Sequence, residues 1–353
     1  MSPPTILLTG ATGSLGASTL AHLLSDTDFA VVAALRSSAK SEPFLRSKYA
    51  AHVSSGRLSF VEIPVMTAPH AFDGPASNGG GGGGVDAIIH IATPLAYDDV
   101  VDKVIKPSWT IVHNVLTAAE KSRRVKRVVV TGSLVATMRI PEGLFASGST
   151  ISEADWNPIT RDEAGANPST AYQYSKVHAE KEAWKFMNEQ PRAFDLIFLL
   201  APSITGRSRQ GGFKPEKGHL GGQPGLYTGL FDVERPGFLF PMFADVEDVA
   251  RVHVEALSPR IPGNQRYLFH SPELMAPNAI AAAIREEFPQ LRDRVPAPEE
   301  GSGGGEPANL VKTDQSRFES AFGKRTWKSA RLSALETVQD IVDYELRSEK
   351  QAA

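Results

Sequence analysis

Tyr172 and Lys176 stand four positions apart in the run PSTAYQYSKVHAEKEAW, residues 168–184. On a helix that spacing puts both side chains on one face. A phenol with an ordinary pKa of about 10 is a poor acid–base catalyst at neutral pH. A neighbouring ammonium favours the phenolate and lowers that value. The pair could therefore protonate a developing alkoxide. Tyr174 is a competing phenol, but its partner four residues on is His178, so it reads as a packing or pocket residue. Upstream, the apolar run Val128-Val129-Val130-Thr131-Gly132 ends at Ser133. A hydroxyl at a strand end can hydrogen-bond a carbonyl oxygen and hold it toward Tyr172.

A second constellation suits phosphate. Thr9-Gly10-Ala11-Thr12-Gly13-Ser14-Leu15-Gly16 joins an apolar run to an expected helix. Gly10 can make a tight turn, Gly13 lets backbone approach a pyrophosphate, and Gly16 lets the helix sit close to the sheet. The helix N-terminus offers free N–H groups and the positive end of its dipole. About 20 residues on, a NAD-binding chain would carry an acid against the ribose 2′-hydroxyl. Here Arg36 stands in that place, with Lys40 following. Arg forks onto phosphate and Lys40 adds a second positive charge, so the expected cofactor is NADP(H).

These groups need a scaffold. Apolar runs at 4–9, 29–35, 58–65, 85–92, 125–131 and 194–200 alternate with helical stretches at 15–24, 100–121 and 171–188. Continuous apolar strands between helices indicate a parallel sheet covered on both faces. The expected class is α/β, a Rossmann-type doubly wound parallel sheet with a smaller mixed α/β C-terminal substrate lobe. Residues 1–203 are expected to form the NADP-binding domain, with 240–260 packing back on it, and 204–353 mainly the substrate lobe. In that half, helices are expected at 246–257 and 276–288 and a strand at 265–270. Leu332, Leu335, Val338, Val342 and Leu346 mark a last helix. Residues 206–241 are rich in Gly and Pro and show no period. Their glycines suggest a mobile lid, whereas Gly79–Gly84 and 299–306 read as idle flexible loops.

Composition excludes several chemistries. With no cysteine among 353 residues there are no disulfides, thiolate metal sites or cysteine nucleophiles. A net charge of −3 argues against a nucleic-acid partner. The nine histidines include no H-x-x-x-H pair, so no metal site is expected. His90 and His253 sit in apolar runs and read as core residues. No apolar stretch of about 18 residues suggests a membrane span, and the N-terminus lacks the features of a signal peptide. A cytoplasmic location is expected.

Taken together, the chain resembles an extended short-chain dehydrogenase/reductase. The branch indicated contains dihydroflavonol reductases, cinnamoyl-CoA reductases and microbial NADPH-dependent aldehyde/ketone reductases. The matching segments are residues 9–16, Arg36, His90-Ile91-Ala92-Thr93-Pro94, Thr131-Gly132-Ser133, Tyr172 to Lys176 with the following AEKEAW, Ala201 to Gly206, and Asp245 to His253. The resemblance implies that Ser133, Tyr172 and Lys176 are catalytic and that Asn114 lies near a proton-relay water. It implies cofactor contacts from Ala92, Thr93, Pro94 and Thr131, and an approach of Pro202 and Ser203 to the nicotinamide. Departures from the pattern are Ile111 and Val112 before Asn114, Ala201 for Asn, Gly132 for Ser, and Val65 for an Asp that would contact the adenine amine.

The resulting expectation is a reductase that converts an aldehyde or ketone to the alcohol with NADPH. Alternatives are the same apparatus oxidising a hydroxysteroid-like alcohol, and a non-catalytic NADP-sensing regulator. Retention of Ser133, Tyr172 and Lys176 disfavours the regulator. Leu95, Tyr97, Leu134, Met138, Tyr174, Phe213, Tyr227, Phe231 and Phe240 are candidate pocket residues, which suggests an apolar or aromatic carbonyl substrate. The chain is expected to act as a monomer or homodimer.

Overall fold

The computed structural model describes residues 3–78, 83–94, 98–146, 148–217, 222–299 and 309–352. Its strands are β1 (Thr5–Thr9), β2 (Ala30–Leu35), β3 (Leu58–Glu62), β4 (Ala87–His90), β5 (Arg127–Thr131) and β6 (Thr150–Ile151). They continue with β7 (Asp195–Leu200), β8 (Ser203–Thr205), β9 (Phe243–Asp245), β10 (Gln265–Leu268) and β11 (Lys312–Thr313). Seven of them form one sheet in the order β10-β7-β5-β4-β1-β2-β3, and every pairing in it is parallel. The chain builds outward from β1 in one direction, then restarts at β4 in the other. Thr9 and His90 therefore sit side by side where the strand order reverses, the usual place for a ligand in such sheets. Ile6, Leu7 and Leu8, Val128 to Val130, and Leu196 to Leu200 are all buried, as a sheet covered on both faces requires.

The chain divides into two compact units. The first comprises residues 1–200, 250–269 and 311–323 and carries the large sheet. The helices Ser14–Asp26, Lys106–Lys121 and Pro168–Asn188 lie in it. The run at 265–270 is a strand, as its sequence suggests, and it completes this sheet beside β7. Arg127, at the start of β5, pairs with Asp195 of β7 at 2.7 Å and donates to the carbonyls of Ala256, Ser258 and Ile261. The helix Ser38–Lys48 was not legible in the sequence: only Leu45 of it is buried, so it carries no apolar stripe.

The second unit comprises residues 201–249, 270–310 and 324–353. Leu226, Leu230, Phe243, Ile280, Ile284, Val338 and Ile341 are buried in its core. The Gly- and Pro-rich segment contains a helix, Gly222–Leu230, which its composition concealed. Some of its glycines serve packing. A Cβ on Gly229 would lie 3.0 Å from the Phe238 carbonyl oxygen, and Gly237 N donates to Gly229 O at 2.7 Å. Gly218 and Gly221 lie outside the described residues, as do Gly79 to Gly82 and residues 300–308. No helix among the described residues is long and apolar enough to cross a membrane, and no group of His, Asp or Glu there could hold a metal ion.

Candidate active site

The first unit brings Ser133, Tyr172 and Lys176 together. The helix Pro168–Asn188 is fixed at its start by a reciprocal cap: Asn167 Oδ1 accepts from Thr170 N at 3.0 Å, and Thr170 Oγ1 accepts from Asn167 N. Pro168 occupies the first turn, where its missing N–H costs nothing. Ser133 follows β5 and is 7% exposed. Its hydroxyl oxygen accepts from Val135 N at 3.4 Å, and the hydroxyl hydrogen-bonds the Tyr172 phenol. Burial pushes that phenol above its ordinary range, and the bond with Ser133 pulls it back.

Lys176 finds its hydrogen bonds at other groups than the phenol oxygen. Its Nζ donates to Thr93 Oγ1 at 3.0 Å and to the Thr131 carbonyl at 3.3 Å. It meets Tyr172 over the ring, 5.7 Å from the centroid. Burial pushes Lys176 down to about 8, against the pull of the Glu180 carboxylate. The ammonium is directed to these acceptors because a half-buried cation, partly withdrawn from water, needs hydrogen bonds.

Next to this group lies the glycine turn. Gly10 has φ +75°, and a Cβ on it would stand 2.9 Å from Ala92 N. A Cβ on Gly16 would stand 1.9 Å from Gly10 O, so no side chain fits there. Gly13 caps the helix Ser14–Asp26 without a side-chain cap, and no acid occupies the first turn. Ser14 Oγ is buried with no hydrogen-bond partner. A bare helix N-terminus with an orphaned hydroxyl fits a pyrophosphate. Leu15 is buried and Thr12 exposed. Arg36 and Lys40 are exposed with no ion pair among the described residues, which fits a 2′-phosphate. Glu62 lies close to that corner, its carboxylate accepting from Ser38 N at 2.7 Å.

Thr9 joins the two halves of the site. Its hydroxyl accepts from Ile91 N and Ala92 N at 3.1 and 3.2 Å and contacts His90 Nδ1 at 2.9 Å. With both lone pairs engaged, the hydroxyl donates to Nδ1, which fixes His90 as the neutral Nε2–H tautomer. Burial, helped by the Lys176 ammonium, pushes His90 down to about 3. His90 belongs to the core, as the sequence suggests, and its link to Thr9 had no sequence signal.

The other expected residues make contacts of their own. Asn114 Nδ2 donates to the carbonyls of Met66 and Ala68 at 3.0 and 2.9 Å. It thus ties its helix to the segment after β3 and shares no hydrogen bond with Ser133, Tyr172 or Lys176. Val65, where an Asp was expected, is 57% exposed. Thr131 offers its carbonyl to Lys176 while its hydroxyl meets His253 Nε2 at 2.8 Å. Leu134 is wholly buried. Tyr174 packs on the cluster of Ala136, Ile159 and Val177 and stacks on His178. Pro94 is half-buried, and Leu95 and Tyr97 lie outside the described residues. Gly132 has a packing reason: a Cβ there would meet Leu200 Cδ2 at 2.9 Å.

In the second unit, Pro202 is buried, and Ser203 Oγ accepts from Gly222 N at 2.6 Å. Phe213 and Tyr227 pack on the core, and Tyr227 lies 5.1 Å from Phe231. A small cavity of about 10 Å³ in this unit, room for no more than a water, is lined by Ser203, Thr205, Leu226, Leu239, Phe240 and Met275, among others.

A doubly wound sheet with a glycine turn and a Ser–Tyr–Lys group defines the class of nucleotide-dependent enzymes to which known proteins can be compared. The model of the NAD dependent epimerase/dehydratase family matches residues 6–220, and the chain belongs to that family. A ketoreductase of Cercospora nicotianae is 29% identical over 314 residues, covering 85% of this chain and 85% of the relative. The NADPH-dependent methylglyoxal reductase of Saccharomyces cerevisiae is 27% identical over 314 residues, covering 84% and 86%. Among solved structures, the yeast methylglyoxal/isovaleraldehyde reductase complexed with NADPH shares the fold with a TM-score of 0.82 at 24% identity, covering 97% of this chain and 99% of that one. Vestitone reductase from alfalfa shares it with a TM-score of 0.70 at 20% identity, covering 97% and 99%.

Proposed function

We propose that this chain is an NADPH-dependent reductase of aldehydes or ketones. The observation that carries the reading is the connected group Ser133–Tyr172 and Lys176–Thr93 beside the bare N-terminus of the helix Ser14–Asp26. NADPH, when bound, supplies the hydride. Gly10, Gly13, Ser14 and Leu15 would hold its pyrophosphate, Arg36 and Lys40 its 2′-phosphate, and Ala92, Thr93 and Lys176 its ribose side. Ser133 orients the substrate oxygen by hydrogen bonding. The Tyr172 phenol stays protonated at neutral pH, since burial holds its pKa up, and is ready to give a proton to the alkoxide. Lys176 carries the positive charge of the site and hydrogen-bonds outward through Thr93.

The substrate we infer is apolar or aromatic. Phe213 and Tyr227, expected as pocket residues and only partly buried in the second unit, support this by their apolar character. The test is loss of NADPH absorbance with a panel of aldehydes and ketones graded in size and polarity. Turnover that favours apolar members and disappears in Tyr172→Phe supports the reading. NADPH binding without turnover of any carbonyl would overturn it in favour of a sensor.

A further inference from the structure

Glu180 stands four residues beyond Lys176 on the helix Pro168–Asn188, so the two side chains share a face. It is 1% exposed, and a carboxylate so deep is unfavourable unless paired and hydrogen-bonded. Arg266 of β10 supplies the pair: its Nε donates to Glu180 Oε1 at 2.8 Å and its Nη2 to Oε2 at 3.4 Å. Trp184 Nε1 donates to the same carboxylate at 3.3 Å.

Arg266 is itself held on three sides. Its guanidinium carbon lies 3.7 Å from the centroid of the Trp156 ring. Its Nη1 donates to the carbonyls of Glu153 and Asp155 at 2.6 and 3.0 Å. The same segment reaches the loop after Ser133, where Asn157 Nδ2 donates to the carbonyls of Val135 and Met138 at 2.9 and 2.7 Å. One buried polar assembly thus ties the lysine's helix and the serine's loop to the edge strand of the sheet.

The charges around Lys176 are few. Thr93, the Thr131 carbonyl and Tyr172 are neutral, and His90 on β4 is held neutral by burial. Burial pushes the Glu180 carboxyl up, while Arg266, Trp184 and Lys176 pull it back, and its carboxylate in turn favours the charged form of Lys176. We propose that Glu180 is a positioning residue for Lys176: aligned by Arg266, its carboxylate supplies the negative charge that keeps a half-buried lysine an ammonium. The proposal rests on the role given to Lys176 under the proposed function, and its test reads the lysine directly.

The test is an NMR titration of the intact, lysine-labelled chain, with the Lys176 signal assigned by its loss in Lys176→Met. Glu180→Gln is expected to lower the Lys176 midpoint by about one pH unit or more. The alkaline limb of kcat/KM should move down by the same amount. The double variant E180Q/R266M removes both charges and avoids an unpaired buried cation. It should show a smaller downward move, because a positive charge leaves with the negative one. Glu180→Asp should recover part of the midpoint. An unchanged Lys176 midpoint in both Gln variants, with or without a lower Tm, would show that Glu180 only packs and would overturn the proposal. If Glu180→Gln does not fold, the double variant decides. A wild-type chain that shows the titration response yet reduces no carbonyl would sink the proposed reaction and leave this inference standing.

Discussion

The Lys176 ammonium donates to the Thr93 hydroxyl at 3.0 Å, whereas it meets Tyr172 only across the ring face at 5.7 Å. Thr93 and the Thr131 carbonyl are thus the hydrogen-bond acceptors that hold this cation. Thr93→Val keeps the shape and removes one acceptor. A hydrogen bond to a charged group contributes about 1.5–3 kcal/mol, so kcat/KM should fall at least about tenfold. Thr93→Ser, which keeps the hydroxyl, should remain close to the parent in steady-state kinetics.

Tyr172→Phe removes the proton donor without emptying the space it fills. The expected loss is about 10²–10⁴-fold in kcat, with NADPH affinity retained. Ser133→Ala should cost about 10²-fold, as loss of one stabilising donor does elsewhere. Because Ser133 and Tyr172 act as a unit, the double variant should lose little more than Tyr172→Phe alone. Single-turnover kinetics with fluorescence-measured NADPH binding would separate these effects.

The glycine turn distinguishes fold from ligand. A Cβ on Gly16 would overlap Gly10 O at 1.9 Å, so Gly16→Ala should lower both Tm and NADPH affinity. A Cβ on Gly13 would meet Gly10 O at 3.5 Å, an ordinary contact. Gly13→Ala should therefore leave Tm near that of the parent and still weaken NADPH binding, because Gly13 is the N-cap of the helix terminus assigned to the pyrophosphate. Thermal melts with and without NADPH check both outcomes.

His90 gives the fold an acid-side weakness. Its ordinary value of 6.5 falls to about 3 in the folded chain, so between these limits the unfolded chain holds a proton that the folded chain lacks. Its contribution to stability is complete above pH 6.5 and is lost as pH falls toward 3. Urea unfolding across this range should show stability declining with falling pH. His90→Gln, which keeps an acceptor for Thr9 and cannot charge, should flatten that slope; an equal slope would contradict the assignment.

Much of this was legible in the residues. Apolar runs without alternation gave the parallel sheet, and the four-residue step from Tyr172 to Lys176 placed both on one helix face. What escaped reading depended on contacts distant in sequence. Asn114 sits on the expected helix, but its amide goes to Met66 and Ala68, a choice made by the path of the loop after β3. Tyr174 read as a packing or pocket residue, and only the cluster of Ala136, Ile159 and Val177, gathered from distant segments, gives it a packing partner. Gly225 and Gly229 read as looseness, yet they belong to a helix packed close to its neighbours. Glu180 could have been noticed, since it repeats the step of four beyond Lys176; its partner Arg266 could not.

The order in which the sheet is completed bears on how the chain is made. β10 pairs with β7, but the whole stretch from 201 to 249 is synthesised between them. During that interval the outer edge of β7 has no neighbour, and Arg127 lacks the carbonyls of Ala256, Ser258 and Ile261 that will receive it. A bare edge of a parallel sheet is a template for another chain. A chain made only as far as β7 would therefore offer that edge to others, and residues 265–268 are what cover it.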